Sequence, residues 1–457
     1  MRRARKLRRR VPERRRRGAP QGPPRGGPGR LLSLDLPALL ARCRALCPQG
    51  PLVLALSGGG DSTALLHILA DLARAEARPL HALVVDHRLR ADSAAEAETA
   101  AHAARSLGAA ARVLAWTDPH ATQAQARLAR HRLLAEAARG TGARTLFLGH
   151  TREDRIETLA MRLARAGGGR GLAAMGELDP SPVWPQGRGL RLARPLLHTT
   201  REDLRDFLEA RGADWVEDPS NADPRYERVR LRTSGLGEDP RFATRLLRLG
   251  DAARGFESRV IEAAAGLLDR AASRLAWGGL ALDADAWAAS APVVQSRAME
   301  FALLSVSGAP GLPGPGRVEA ALAALARSQR RTVAGVLIDE GGRLGRDPAA
   351  AGRADGTPGA APLVLAPGEA GVFDGRLDAA AQDGLVVAVA GSRPADGLEA
   401  VPAAFRPGVP VIETASGERL AAFAPGAARY GTFTLLTGAR LLHLAFPFGA
   451  GTWFDEV

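Results

Sequence analysis

Lysine is almost absent from this chain: Lys6 is the only one among 457 residues, and arginine supplies the rest of the positive charge. Arginine makes planar bidentate contacts to phosphate, but genomic base composition explains the bias equally well. Cysteine is equally scarce. Cys43 and Cys47 are spaced C-x-x-x-C, with no second pair. That spacing excludes a disulfide framework and supports neither a zinc ribbon nor an iron–sulfur cluster; two thiols fit a reducing cytoplasm. They read best as two small apolar residues one turn apart on a helix. Long apolar runs are missing too. No run of about eighteen apolar residues escapes interruption by charge, Pro or Gly, so no membrane span is expected. No solenoid period is found. What is present is ordinary for a globular protein, with 46% hydrophobic and 24% charged residues, enough for a sizeable core. The length suggests roughly three domains.

The net charge of +13 is unevenly placed. Residues 1–30 hold 13 basic residues against the single acid Glu13, which is +12 of the total. The body is close to neutral, so any nucleic-acid surface on it must be a local patch. The first 30 residues have too little apolar surface to fold and are expected to be disordered. They read as a solvated tail, as a stretch upstream of the true start, or as a basic arm that attracts RNA. They lack the apolar core of a secretory signal. Arg-rich, acid-poor composition suits an organelle transit peptide, but serine and an amphipathic period are missing.

From residue 50 to about 215, short apolar runs alternate with helical periods. Strands are expected at 51–56, 81–86, near Val113 and at 145–148, with helices at 92–107, 121–139 and 152–165 between and after them. That alternation predicts an α/β fold: a doubly wound parallel sheet covered on both faces. Residues 240–330 carry helical patterns without obvious strands, clearest at 241–254, 256–274 and 315–327. Beyond 330, Gly, Pro and short apolar runs predict a small β-containing domain. The expected units are a tail at 1–30, an α/β domain at 31–237, a helical domain at 238–335 and a small C-terminal domain at 336–457.

The strongest motif is Ser57-Gly58-Gly59-Gly60-Asp61-Ser62, between the first strand and the first helix of that pattern. Glycines permit tight turns, and the N–H groups opening the next helix face an anion. Ser57 and Ser62 add hydroxyls. Asp61 adds a carboxylate suited to Mg²⁺ beside phosphates. The loop lacks the lysine of a Walker loop. It resembles the S-G-G-x-D-S loop of the N-type ATP pyrophosphatases. That likeness implies adenylation with release of pyrophosphate, not transfer of the γ-phosphoryl group.

Further segments narrow the likeness to one branch. Asp86-His87-Arg88-Leu89-Arg90 looks like a D-H-x-L-R motif. Gly149-His150-Thr151-Arg152-Glu153-Asp154-Arg155-Ile156-Glu157-Thr158 looks like G-H-x-x-D-D-x-x-E-T. The segment from Arg165 to Leu172, then Arg194-Pro195-Leu196-Leu197, and then Trp215 with Glu217-Asp218-Pro219-Ser220-Asn221 follow in the same order. Over residues 50–232, about two-fifths of the chain, this resembles the tRNA(Ile)-lysidine synthetases. Three departures stand out: Glu153 replaces an Asp, Ala166 a Gly, and Val229 an Asn.

The resemblance implies an ATP-dependent ligase in two steps. ATP adenylates C2 of the wobble cytidine in tRNA(Ile) with a CAU anticodon, and free L-lysine then displaces AMP. It implies ATP contacts from Ser57, Gly58, Gly59, Gly60, Asp61, Ser62, Asp86 and His87, with Mg²⁺ on Asp61. Catalytic roles fall to Asp61, His150, Asp154 and Glu157. Residues 154 and 157 share one helical face. Two carboxylates beside a phosphate loop need a cationic partner, and a substrate ammonium supplies one. A solvated acidic helix start explains the same spacing. Substrate or tRNA contacts are expected from Arg127, Arg130, Arg194, Ser220, Asn221, Arg228 and Arg232; for Arg127 and Arg130 a solvated basic face is an equal alternative. Trp215 could stack a base or sit in the core. A cytoplasmic setting is implied, and a homodimer is left open. Two rivals remain. A tRNA-thiolating enzyme would use the same loop, typically with paired cysteines. A non-catalytic RNA-binding protein would not need the intact loop.

Overall fold

The computed structural model describes residues 34–88, 93–116, 123–165, 171–216, 227–233, 235, 239–351 and 360–445. Its first unit is built on one sheet. Helix α1 (Leu36–Leu46) leads to β1 (Leu52–Ala55), α2 (Gly60–Glu76), β2 (Leu80–Asp86), α3 (Ser93–Ser106), β3 (Ala110–Ala115), α4 (Gln123–Gly140), β4 (Thr145–Leu148) and α5 (Arg152–Ala164). Strands β5 (Leu178–Pro180) and β6 (Arg191–Ala193), then α6 (Arg201–Ala210) and α7 (Glu227–Thr233), complete it. The sheet order is β3-β2-β1-β4-β6-β5, parallel except for the edge strand β5. Strands β1 and β4 are buried along nearly their whole length, as a sheet covered on both faces requires. One apolar layer under α1, α2, α3 and α6 fills one face, and Leu134, Ala135 and Ala138 of α4 close the other. Cys43 and Cys47 lie buried at the end of α1, and burial pushes the Cys43 thiol up to about 12.

Strand order reverses between β1 and β4, which is where a doubly wound sheet opens a crevice at the carboxyl ends of its strands. The loop after β1 and the loop after β4 both open into that crevice.

Helix α8 (Pro240–Ala271) departs from the expected pair of helices at 241–254 and 256–274: it runs unbroken for 32 residues, about 48 Å. Asp239 caps its start and Pro240 occupies the first turn. Gly255 sits mid-helix without ending it, because a lone glycine costs only about 1 kcal/mol and packing of the flanking turns outweighs that. Its first half packs on α5, where Leu159 and Ala174 close over Gly250. Its second half packs on α10.

The region expected to be helical, without obvious strands, also holds short strands. After α8 come β7 (Ala272–Arg274), β8 (Leu280–Leu282), α9 (Ala284–Ala288), α10 (Pro292–Ser307), α11 (Pro315–Ala326), β9 (Arg331–Val333), β10 (Val336–Ile338) and β11 (Arg343–Arg346). The strands form one sheet in the order β7-β8-β11-β10-β9, so the β9–β10 hairpin crosses position 335. Only β7 and β8 fall within 240–330, where three residues leave no readable period; β9, β10 and β11 lie beyond 330, where β structure was expected. The remainder bears out the β-containing expectation. Two antiparallel sheets, from strands between Leu363 and Leu435, precede a final helix α12 (Thr437–Ala445) that packs on α10. Among the described residues no helix is long and apolar enough to cross a membrane.

The C-terminal part docks back on the first unit through the loop between β5 and β6. Trp184 is buried there, donates Nε1–H to the Gly375 carbonyl at 2.7 Å, and lies under the Arg440 guanidinium at 4.3 Å. A ring nitrogen of His443 meets the Ser181 carbonyl at 2.8 Å, and Arg188 pairs with Asp378. Burial pushes the His443 imidazole down to about 4.

Candidate active site

The loop after β1 folds as its glycines predict. Gly58 takes φ +81, a left-handed value open to few side chains, and Gly59 caps α2 without a side-chain bond. The first-turn N–H groups of α2 therefore face the crevice with no carbonyl of their own helix to meet. The two serines tie the loop shut: Ser57 Oγ and Ser62 Oγ are 3.0 Å apart, and Ser62 Oγ donates to the Gly59 carbonyl at 3.0 Å. Val216 N donates to the Gly58 carbonyl at 2.9 Å, and half-buried Trp215 lies over Gly60. Gly149 lets the end of β4 approach α2, since a Cβ there would stand 3.0 Å from the Ser62 backbone.

Helix α5 starts on a capping box. The Asp154 Oδ2 accepts from Thr151 N at 2.9 Å and from Thr151 Oγ1 at 3.0 Å, which fixes the carboxylate at the crevice. Asp154 and Glu157 are both buried. Between them lies a residue that no sequence motif singled out. Arg201, the first residue of α6, donates to Asp61 Oδ2 at 3.2 Å, Asp154 Oδ1 at 2.7 Å and Glu157 Oε1 at 3.0 Å. Its backbone N–H meets Glu153 Oε2 at 3.2 Å, so the longer side chain at that departure reaches the start of α6. The chain thus supplies one cation of its own, a guanidinium, beside these carboxylates.

Three carboxylates still face one guanidinium, and the site keeps a surplus of negative charge. Burial pushes the Asp61 carboxyl above its usual range, against the lowering pull of Arg201. Burial also works against the Asp154 anion, but Arg201 and the Thr151 hydrogen bonds prevail and hold it below its usual range. Burial disfavours the Arg201 charge, and Asp154, Glu157 and Asp61 together overcome that and raise its pKa. A signal existed in the sequence. A cation in the first turn of a helix opposes the helix dipole, so Arg201 needs a compensating partner.

His150 follows β4 and is joined to a second set of charges. Arg194 Nε donates to His150 Nδ1 at 3.2 Å, and Arg194 Nη1 pairs with Asp179 at 2.6 Å. Arg254 from α8 takes the other Asp179 oxygen at 2.7 Å. An arginine can only donate, so His150 Nδ1 accepts and its proton sits on Nε2 in the neutral ring. Sequence reasoning named Arg194 and missed Asp179, which carried no motif.

At the end of β2, Asp86 is buried and accepts from Ser93 Oγ at 2.7 Å and Arg88 N at 2.9 Å. Burial opposes its charge, but those bonds and the Arg88 charge hold its carboxyl below the usual range. His87 stands edge-on to Trp116, with centroids 6.3 Å apart. Burial and the nearby Arg130 push the His87 ring down. Burial, Arg130, Arg127 and Arg194 push the neighbouring His131 down to about 4. Arg127, Arg130 and Arg194 all bear on the charge of this one histidine.

Ser57 to Ser62, Asp86, His87, Arg127, Arg130, His150, Asp154, Glu157 and Arg194 accordingly converge on the carboxyl ends of the parallel strands. Ser220 and Asn221 lie outside the described residues, as do the side chains of Arg228 and Arg232. Val229 is buried in α7, an apolar packing position.

A family model described as a PP-loop domain matches residues 38–237. A tRNA(Ile)-lysidine synthase of Caulobacter vibrioides is 40% identical over 386 residues, covering 81% of this chain and 86% of the relative. One of Brucella suis is 40% identical over 302 residues, covering 63% of this chain and 66% of the relative. A solved U34-tRNA thiolase of Methanococcus maripaludis matches with 13% identity and a TM-score of 0.39, over 48% of this chain and 78% of that chain. That last likeness is too distant to bear on function.

Proposed function

The chain belongs to the tRNA(Ile)-lysidine synthase family, and from that premise we propose which residues carry its ATP-dependent reaction and on what substrates. The C2 oxygen of the wobble cytidine of tRNA(Ile), CAU anticodon, attacks the α-phosphorus of ATP, and pyrophosphate leaves. The ε-amine of free L-lysine then attacks C2. AMP departs with that oxygen, and the amine gives up its protons. The observation that carries the assignment is the Asp61–Asp154–Glu157 trio around Arg201, beside the phosphate loop at the reversal of the sheet.

The N–H groups opening α2 would cradle the leaving pyrophosphate. A carboxylate beside a phosphate loop fits Mg²⁺, which takes one or two carboxylates together with phosphate and water. Asp61 would hold that ion, and its charge would offset the phosphates. Asp154 and Glu157, left with surplus negative charge, hold the lysine ammonium and orient its amine. His150, protonated on Nε2, donates a hydrogen bond toward the reacting base. Asp86 and His87 border the adenosine. Arg127, Arg130, Arg194, Arg228 and Arg232 take RNA phosphates, and Ser220 and Asn221 shape the pocket of the flipped cytosine. The division at 31–237, 238–335 and 336–457 assigns catalysis to the first unit and tRNA grip to the other two. The chain works in the cytoplasm; a homodimer is compatible with this division and not required by it.

The test combines purified protein, an unmodified tRNA(Ile) transcript, ATP, Mg²⁺ and radiolabelled lysine. Label should enter acid-precipitable tRNA(Ile) only with ATP, not enter tRNA(Met), and be lost in Asp61→Ala. Release of pyrophosphate without label would keep the adenylation and discard lysine as the nucleophile.

A further inference from the structure

Five arginines on α8 are placed unlike every arginine described above. At 3.6 residues per turn, Arg241, Arg245, Arg248, Arg259 and Arg270 fall within roughly 60° of arc. All five are exposed, and they lie away from the buried face formed by Ala243, Leu246, Gly250, Val260, Ala264 and Leu268. Among the described residues none of the five pairs with a carboxylate. On the same helix Arg254 binds Asp179, and Asp251 takes Arg155. The unpaired positive charge of these arginines is thus gathered on one face, bordered by the exposed Glu262.

Two further observations set this face apart from an ordinary solvated one. Phe256, 52% exposed, borders the arginines on one side, and Leu249, 43% exposed, stands just beyond it. Gly255 and Gly266 lie on the same face, with nothing but the tips of Arg259 and Arg270 within 4 Å of a Cβ built there. No internal packing asks for glycine at either position. Both keep the surface between the arginines low. The face also has a fixed direction: its first half belongs to the part of α8 packed on α5, which carries Asp154 and Glu157, and its second half extends over the α10 region. Arg248, Arg259 and Arg270 recur every eleven residues, about 16 Å apart.

We propose that this face of α8 is a track for the sugar–phosphate backbone of the tRNA substrate, leading away from the catalytic crevice. The five guanidiniums neutralise phosphates without reading bases, and Phe256 packs on a ribose or an unstacked base. Arginine suits this role because its fork grips phosphate in two-point fashion. The inference deepens the proposed function and names the RNA moiety held; it does not depend on lysine as the nucleophile.

The experiment measures equilibrium binding of an unmodified tRNA(Ile) transcript to the full chain, without ATP or lysine, across a salt series. Variants are R241Q/R245Q/R248Q and R259Q/R270Q, all at exposed positions outside the ATP site. Each lost phosphate contact should flatten the log Kd against log salt slope by roughly 0.7–0.9. The triple variant should therefore lose roughly 2–3 from the slope and the double variant roughly 1.5. ATP binding and the melting temperature should match the parent chain. Slopes equal to the parent in both variants would overturn the track. So would stripe-dependent capture by anionic phosphatidylserine vesicles with RNA slopes unchanged. Steep, stripe-dependent RNA binding by a protein that incorporates no lysine keeps the track and discards the catalytic reading. Lysine incorporation with unchanged slopes does the reverse.

Discussion

Arginine serves opposite ends in two neighbouring parts of this molecule. In the crevice, Arg201 touches three carboxylates, and Arg194 joins Asp179 to His150. Along the exposed face of α8, five arginines meet no acid among the described residues. A buried charge must be paired, because removal from water is expensive. An exposed charge need not be, and leaving it unpaired keeps it available to a ligand of opposite sign. Pairing, not residue type, thus separates arginines that shape the site from arginines that wait for a partner. Arg440 is a third case. It rests on the Trp184 ring, and burial pushes its pKa down to about 9.

The comparison can be broken most severely at Arg201. Replacing it with Gln leaves three carboxylates facing each other, and turnover measured at saturating substrates should fall by roughly 10²–10³. The same change should shift the acid limb of the pH–rate profile. Burial already raises Asp61, and Arg201 opposes that rise, so its removal should move the limb to higher pH. A rate within a few-fold of the parent would show that the cluster is only structural.

A second effect tests the C-terminal docking. His443 is buried and neutral, with its pKa pushed from 6.5 to about 4. The unfolded chain therefore binds the proton first, and stability should fall as pH drops from about 6.5 to about 4, then level off. A tenfold difference in proton affinity between the folded and unfolded chain is worth about 1.4 kcal/mol, which puts the loss on the order of 3 kcal/mol. Thermal melts of His443→Gln should show a shallower acid dependence across that window.

Two smaller effects sharpen the contrast directly. Arg254→Gln removes one partner of Asp179 and should cost about 1–3 kcal/mol in chemical denaturation. Arg245→Gln on the open face should change stability by no more than about 0.5 kcal/mol. Equal losses at both positions would dissolve the distinction between paired and waiting arginines.

The crevice was largely legible because its motifs sit at strand ends. Ser57 to Ser62, Asp86 with His87, and His150 each follow an apolar run that reads as a buried strand, and the sheet brings those ends together. Arg201 and Asp179 were not legible. Each acts through partners more than forty residues or at least fifteen residues away, in contacts set by packing rather than spacing. The unbroken α8 escaped notice because Gly255 reads locally as a break, while the packing that keeps the helix continuous is tertiary. The β7–β8 hairpin escaped because three residues hold no period. The arginine face was hidden in plain composition: a nearly neutral body says nothing about which charges are paired.

The most direct test of the whole account is the mass of the wobble nucleoside. A tRNA(Ile) transcript with a CAU anticodon is incubated with the protein, ATP, Mg²⁺ and lysine, digested to nucleosides and read by mass spectrometry. The expected product is a cytidine heavier by one lysine less one water, absent when ATP is withheld. An unchanged cytidine, or one carrying sulfur when a sulfur donor is added, would contradict it.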